Sequence, residues 1–258
     1  MIPFLPTLML LLACVRAPPV VDVPAATPAE LLATAVAEAP AGPAIATFSI
    51  RVQGPDAGVS AQGTALVAPG GRFRLELRGP IGGPAFIAAC DGTTLRAWEA
   101  GPNRVWEATD LDARLRGATN GALGLDALSE LLLLRLPRGL PPPTSTRTRD
   151  GRPSFEWAQG GAQLAVDLDA ATARVARLGL VGPDGQAWLG LQGEADTSRP
   201  SRDKPGPARP PRTLTVVLPP MNTTAELNFG AWTNAAPTDP AFRLALPAGA
   251  TVEELRLP

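Results

Sequence analysis

The sequence predicts a mainly β protein with a few helices, in which about ten or eleven short strands form one curled antiparallel sheet. Three observations support this prediction. From residue 45 onward, apolar and polar residues alternate in many short runs. Clusters of Gly, Pro and Asp separate these runs and indicate tight turns. Two stretches, 27–38 and 121–136, break the alternation and instead have helical character.

The clearest alternation lies between Arg72 and Arg78, where Phe73, Leu75 and Leu77 fall on one face and charged residues fall on the other. This pattern predicts a strand with one buried face and one wet face. A sheet of many strands tends to curl, and curling also removes exposed edges. A curled sheet with its apolar face inward and a helix in its mouth would enclose an apolar cavity.

The first helix is expected at 27–38, because Thr27 can cap it, Pro28 suits its first position and Glu30 completes a capping box. The second, at 121–136, is rich in Leu and ends before Pro137. Its composition predicts burial on more than one side. The last strands are expected at 242–246 and 252–257.

The N-terminus predicts export. Residues 1–13 form an apolar run that is too short to span a bilayer and fits the core of a signal peptide. The run ends in Leu-Leu-Ala followed by Cys14, which resembles the lipobox of bacterial lipoproteins. That resemblance implies cleavage before Cys14 and acylation of the cysteine, and Val15 after it implies the outer membrane. No Lys or Arg precedes the apolar run, which a misplaced start codon would explain. An ordinary signal peptide with an incidental Cys is the alternative.

Three further segments follow from composition. Residues 14–26 are expected to comprise Cys14, whose lipidation the lipobox resemblance implies, and a Pro-rich tether. Residues 27–258 form the folded domain, and the Pro-rich and Arg-rich segment 195–211 is expected to be a disordered insert.

Composition also argues against several functions. The chain has no His and no Tyr, which removes the commonest general base and zinc ligand. The net charge of −1 gives no reason to expect attraction to nucleic acid or to an anionic bilayer. Asp167 and Asp169 could pair on a metal, but alternate positions before a turn also give this spacing, and no third ligand is evident. We therefore predict no catalytic residues, no metal, no cofactor and no enzymatic activity. Cys90 is expected to be an inert, buried thiol.

One stretch resembles a known family. Residues 72–87, Arg-Phe-Arg-Leu-Glu-Leu-Arg-Gly-Pro-Ile-Gly-Gly-Pro-Ala-Phe-Ile, look like the third and fourth strands of the outer-membrane lipoprotein receptor LolB and its relatives. Asp91-Gly92 resembles the next hairpin, and 125–137 is similar to the inner helix of that family and its exit. The ending 242–249 is similar to the last strand of the wider LolA/LolB-like group.

The resemblance implies a half-open antiparallel β-barrel with an apolar lumen that receives lipoprotein acyl chains from a periplasmic LolA-like carrier. It also implies a protruding loop, Pro80-Ile81-Gly82, in which Ile81 enters the membrane. Ile81 folded back as an ordinary turn residue is the alternative. The residues expected to line the lipid-binding cavity are Ile50, Val52, Phe73, Leu75, Leu77, Trp98, Leu128, Leu131 and Leu132.

Two functions remain open at this point. In the first, the protein is a monomeric outer-membrane lipoprotein, facing the periplasm, that binds acyl chains of other lipoproteins and aids their insertion. In the second, it keeps the fold for a structural or partner-binding purpose. Space in the lumen would favour the first, and a lumen filled by Leu and Trp side chains would favour the second.

Overall fold

The computed structural model describes residues 26–37, 42–55, 58–79, 82–118, 121, 123–137, 139–159, 161–195 and 211–255. The expected signal peptide at 1–13, Cys14 and the tether up to residue 25 lie outside the described residues. So do Pro80, Ile81 and residues 196–210 of the expected insert.

The first half of the chain contains one helix and then six strands that follow one another as a meander. These elements are α1 (Pro28–Ala37), β1 (Ala44–Gln53), β2 (Gly58–Ala68), β3 (Arg72–Arg78), β4 (Pro84–Asp91), β5 (Leu95–Glu99) and β6 (Arg104–Ala108).

The second half begins with two short helices and continues as a second meander. Its elements are α2 (Leu111–Ala118), α3 (Leu125–Leu132), β7 (Ser145–Arg149), β8 (Arg152–Gln159), β9 (Ala162–Leu168), β10 (Val175–Val181), β11 (Ala187–Ala195), β12 (Pro211–Leu218), β13 (Thr223–Phe229), β14 (Thr233–Asn234) and β15 (Thr251–Glu254). Two 3-10 turns lie at Pro219–Met221 and Asp239–Phe242.

The described strands form one sheet in the order β15-β6-β5-β4-β3-β2-β1-β13-β12-β11-β10-β9-β8-β7, and β14 also pairs with β1. Neighbours are antiparallel except β15, which runs parallel to β6. Within the described chain the end strands β15 and β7 do not pair, so the sheet is open. The fold is therefore mainly β, as predicted, with fifteen described strands where we expected ten or eleven.

The sheet curls around α1 and α3. Phe48 of β1, Leu164 of β9, Leu31 of α1 and Leu131 of α3 belong to a single buried cluster, although β1 and β9 are separated by four strands in the sheet. We call the face that contacts these helices the inner face and the opposite one the outer face. The alternation seen in β3 follows this division, because Leu75 and Leu77 join the inner cluster.

The C-terminal segment 239–250 crosses the outer face. Phe242 packs with Leu66 and Ala68 of β2, and Leu244 packs with Ile87 of β4. The strand predicted at 242–246 is wrong, because this segment forms a 3-10 turn and then an irregular chain. Its alternation reflects burial of individual side chains against the sheet and not strand pairing.

The helices differ in how well the sequence predicts them. The capping box of α1 is confirmed: the Glu30 carboxylate accepts from the Thr27 amide at 2.8 Å, and the Glu30 amide donates to the Thr27 hydroxyl at 3.3 Å. The helix predicted at 121–136 is shorter in the structure than in the prediction: α3 begins at Leu125 and ends at Leu132. Helix α2 was not predicted.

Candidate functional site: the inner face of the half-barrel

The inner face brings together most of the residues predicted to line a cavity. Leu131 is fully buried in the main cluster, and Ile50, Leu75, Leu77 and Leu132 pack against this cluster while remaining partly exposed. These four apolar side chains contact the buried cluster on one side and remain accessible to solvent on the other. We call these four residues the apolar border of the closed core. An aliphatic chain can bind to this border because binding removes further apolar surface from water.

Phe73 also lies on the inner face but belongs to a neighbouring cluster. It packs against a buried cluster that contains Cys90 of β4, Leu111 of α2 and Leu125 of α3. Burial raises the pKa of the Cys90 thiol, which keeps it protonated and unreactive. Phe73 therefore anchors the two short helices to the sheet.

The positions of two other predicted residues follow from the elements that contain them. Val52 shares the face of Phe48 and Ile50 by alternation and is half-exposed near the end of β1. Leu128 lies within α3, between Leu125 and Leu132.

Trp98 does not line the inner face, and its assignment to the cavity is wrong. It pairs in register with Ile87 and Val105, and it packs with Ile87 and Leu244 under the C-terminal segment on the outer face. Its indole N–H donates to the side-chain amide oxygen (Oδ1) of Asn103 at 3.1 Å. The cause is register: Leu75 pairs with Ala88, and Ala88 pairs with Ala97, so that Ala97 and not Trp98 continues the inner row.

Small residues form a trough along the inner face of β2, at Ala61, Gly63 and Ala65, between the larger side chains of β1 and β3. The Phe48 ring lies over Gly63, since a Cβ added there would come within 2.8 Å of the ring. Phe48 contacts the Phe229 ring with a centroid separation of 5.9 Å, and Phe229 contacts Trp232 at 5.0 Å. The aromatic row thus closes part of the trough.

The end of α3 is seated on the opposite arm of the sheet. The helix stops in a Schellman motif, in which the Arg135 amide donates to the Glu130 carbonyl at 3.0 Å and the Leu134 amide donates to the Leu131 carbonyl at 2.9 Å. Leu134 takes the left-handed position, with φ of 53°, where Gly is usual. Its side chain lies against the backbone of Gly193 in β11.

The beginning of α3 is held by α2. Its N-cap, Gly124, has no side chain to accept hydrogen bonds, and the Asp112 carboxylate accepts from the Leu125 amide at 2.7 Å instead. Arg116 donates to Asp112 at 2.8 Å. The hydrogen bond from Arg116, and then the one from Leu125, hold the pKa of Asp112 below its usual value. A Cβ at Gly124 would come within 2.6 Å of the Arg116 guanidinium and the Asp112 carboxylate, so both groups would have to shift to admit a side chain there.

A cavity of about 310 Å³ lies at the mouth, between the β2–β3 turn, α3 and the segment 137–141. Trp157 and Leu140 supply apolar walls, and Asp126 and Glu130 lie at its edge. The Trp157 indole N–H donates to the Pro141 carbonyl at 2.7 Å, which fixes the wall. Ala127 and Glu130 of α3 also line this cavity.

The predicted membrane loop is described only at its base. The Gly79 amide donates to the Gly83 carbonyl at 2.8 Å, and the Gly82 amide donates to the Gly79 carbonyl at 2.9 Å. Gly82 has a φ of 87°, which side chains rarely adopt. Two hydrogen bonds therefore join the described residues on either side of positions 80 and 81.

The aspartates considered for metal binding have separate positions. Asp169 accepts hydrogen bonds from Ala171 and Thr172 in a turn, whereas Asp167 is buried between strands. No group of three or more metal-ligating side chains occurs in the described part of the chain. Likewise, no helix among the described residues has both the length and the apolar character needed to cross a membrane.

No family model matches the sequence, and no curated protein matches it either. Among solved structures, a LolA superfamily protein from Nitrosomonas europaea covers 85% of this chain and 99% of its own, with 14% identity and a TM-score of 0.52. The chain has a LolA-like fold. A DUF1329 family protein from Desulfovibrio piger covers 84% of this chain and 95% of its own, with 9% identity and a TM-score of 0.53. At these identities the likeness concerns the fold, and the LolA-like fold agrees with the half-open barrel expected from the sequence.

Proposed function

We propose that this chain is a lipid-anchored lipoprotein of the bacterial outer membrane that binds the acyl chains of other lipoproteins on its inner face. It faces the periplasm, takes its cargo from a LolA-like carrier, acts as a monomer and releases the cargo into the outer membrane. The anchor is the acylated Cys14, joined to the half-barrel by the Pro-rich tether. The similarity of the fold to a LolA superfamily protein supports this class of function.

The observation that carries the proposal is the apolar border of the inner face. Ile50, Leu75, Leu77 and Leu132 are partly exposed although they lie beside a closed core. Each methylene that cargo buries against them contributes about 0.8 kcal/mol. A half-barrel can bind chains of different lengths in this way, because its open edges do not fix the end of the site.

A transfer assay tests this. The Cys14→Ser chain, which lacks acyl groups, is mixed with cargo-loaded carrier and liposomes. Leu77→Glu should lose acceptance of cargo, because an unpaired carboxylate on the apolar border disfavours burial there by several kcal/mol. Gln192→Glu, which adds the same charge at an exposed position of β11, is the matched control. Equal cargo acceptance by both variants would contradict the proposal.

Ile81 is proposed to enter the bilayer during release. An apolar side chain at the tip of a Gly-flanked and Pro-stiffened loop can do so with little backbone rearrangement. Ile81→Glu should accept cargo normally and insert it more slowly. An unchanged rate of insertion would remove Ile81 from the mechanism.

A structural or partner-binding role is the second candidate. The Phe48 ring over Gly63 and the Leu134 side chain against Gly193 favour it, because both fill space on the inner face. A Cys14→Ser chain that neither accepts nor releases cargo in the transfer assay would leave this second function.

A further inference from the structure

The outer face has a polar hollow that the acyl-chain proposal does not use. Its volume is about 870 Å³, and it lies where β1, β2, β3 and β13 run side by side. Its lining includes Gly79, which precedes the predicted membrane loop, and Gly82, the last residue of that loop. The polar side chains that line it include Arg51, Arg78, Glu226, Asn228, Gln62 and Ser60.

The two arginines of the hollow differ from most others in the sheet. Within the described part of the chain, neither Arg51 nor Arg78 has a salt bridge or a side-chain hydrogen bond. By contrast, Arg74, four positions before Arg78 on the same face of β3, pairs with Glu76 at 2.6 Å. With Glu226 as the acidic group, the hollow keeps one net positive charge and several neutral donors.

The same end of the sheet carries exposed apolar side chains. The turns β1–β2, β3–β4 and β12–β13 all lie at this end, because the strands that they join are antiparallel neighbours. Met221 at the β12–β13 turn is 64% exposed, Val59 beside the β1–β2 turn 59%, and Val217 36%. The Met221 tip is stiffened by Pro219 and Pro220 in a 3-10 turn.

We propose that this end of the sheet docks on an anionic bilayer, with Met221 and Val59 entering the headgroup region and Arg51 and Arg78 binding a lipid phosphate in the hollow. The arrangement has the chemistry of an interfacial anchor, in which apolar groups enter the lipid and cations lie at phosphate level. Single apolar residues at or beside separate turns suit a bilayer better than a protein partner, whose interface core buries a contiguous apolar patch enriched in aromatic residues.

The net charge of −1 conceals this site, because it sums over the whole chain, whereas the attraction depends on the local positive charge of the hollow. Residues 51, 78 and 226 are distant in sequence and meet only through the register of β1 with β2 and β13 and of β2 with β3. The proposal does not depend on cargo binding, so the two can fail independently.

The test uses the full chain with Cys14→Ser, in which Cys90 is fully buried, and an environment-sensitive fluorophore on Met221→Cys. Ala171→Cys, in the β9–β10 turn at the opposite end, carries the same label as a control. Vesicles of phosphatidylglycerol with phosphatidylethanolamine are compared with vesicles of phosphatidylcholine. No cargo is present. We expect a blue shift of the label at 221, but not at 171, on the anionic vesicles.

Arg51→Gln with Arg78→Gln should weaken this partitioning about 30-fold, since each arginine near an anionic surface contributes about 1 kcal/mol. Arg212→Gln, an exposed arginine at the far end of β12, should leave it unchanged. Equal responses at 221 and 171, or equal binding by the Arg51/Arg78 and Arg212 variants, would overturn the proposal. A label at 221 that stays silent on every vesicle would also overturn it and favour a protein partner.

Discussion

The contact between Leu134 and Gly193 allows a direct test of how α3 is held in the half-barrel. A Cβ added at Gly193 would lie 2.1 Å from one Leu134 methyl carbon, 2.8 Å from the other and 2.9 Å from Cγ. All three distances are shorter than real Cβ contacts, and Leu134 is fully buried. Gly193→Ala must therefore push the end of α3 away from β11, and overpacking of this kind costs about 1–3 kcal/mol.

A double-mutant cycle separates this contact from other effects. Leu134→Ala alone should lower the free energy of unfolding by about 2–5 kcal/mol, since it leaves a cavity. In the Leu134→Ala background the new methyl group has space, so Gly193→Ala should lose most of its effect. We expect an interaction energy of about 0.5–3 kcal/mol from urea unfolding monitored by Trp fluorescence.

Gly179→Ala is the matched control, because Gly179 lies in the neighbouring strand β10 and a Cβ there would have open space around it. It should change stability by less than about 0.5 kcal/mol. Additive effects of Gly193→Ala and Leu134→Ala, or an equal loss in Gly179→Ala, would refute the view that α3 is seated on β11.

Three further predictions concern the site. Asp112→Ala should cost about 1 kcal/mol, because it removes the acceptor at the start of α3. Since the folded-state pKa of Asp112 is lowered, first by Arg116 and then by Leu125, this stability difference should be complete near pH 7 and vanish as pH falls through that pKa, measured by urea unfolding at several pH values. Trp157→Phe should cost about 1 kcal/mol in thermal unfolding, because the Pro141 carbonyl loses its donor. In the Cys14→Ser chain, a thiol reagent should modify Cys90 only after unfolding, because Cys90 is fully buried and burial raises its pKa.

Much of the fold was predictable because most strands have one apolar and one polar face. The alternation in β3 correctly placed Leu75 and Leu77 on the inner face. Strand β7 was missed because its sequence, Ser-Thr-Arg-Thr-Arg, has no apolar face, as suits an exposed edge strand. Helix α2 was missed because it is short and polar, and its contact with α3 through Asp112 is tertiary.

The face on which a site residue lies was predictable only where the alternation within a single strand determines it. Alternation separates the two faces of one strand. It does not show which of the two faces of the next strand lies on the inner face of the sheet, because that depends on the register between the strands. Trp98 was misplaced for this reason, since the β4–β5 register puts Ala97 beside Ala88. The polar hollow was not predicted at all, because Arg51 and Arg78 come together only through pairing across three strands.

The join between the two meanders has a consequence for folding. Within β1–β6 and within β7–β13, each strand pairs with the next one along the sequence. The pairing of β1 with β13 is instead non-local, because it aligns Phe48 with Phe229, which is far away in the sequence. Such non-local pairing is slow, because loop-closure entropy is lost before contacts compensate it. During synthesis, the edge of β1 that faces away from β2 would remain unpaired until β13 arrives. Over that interval the nascent chain is most exposed to strand-mediated aggregation, and a chaperone that covers β1 would protect it.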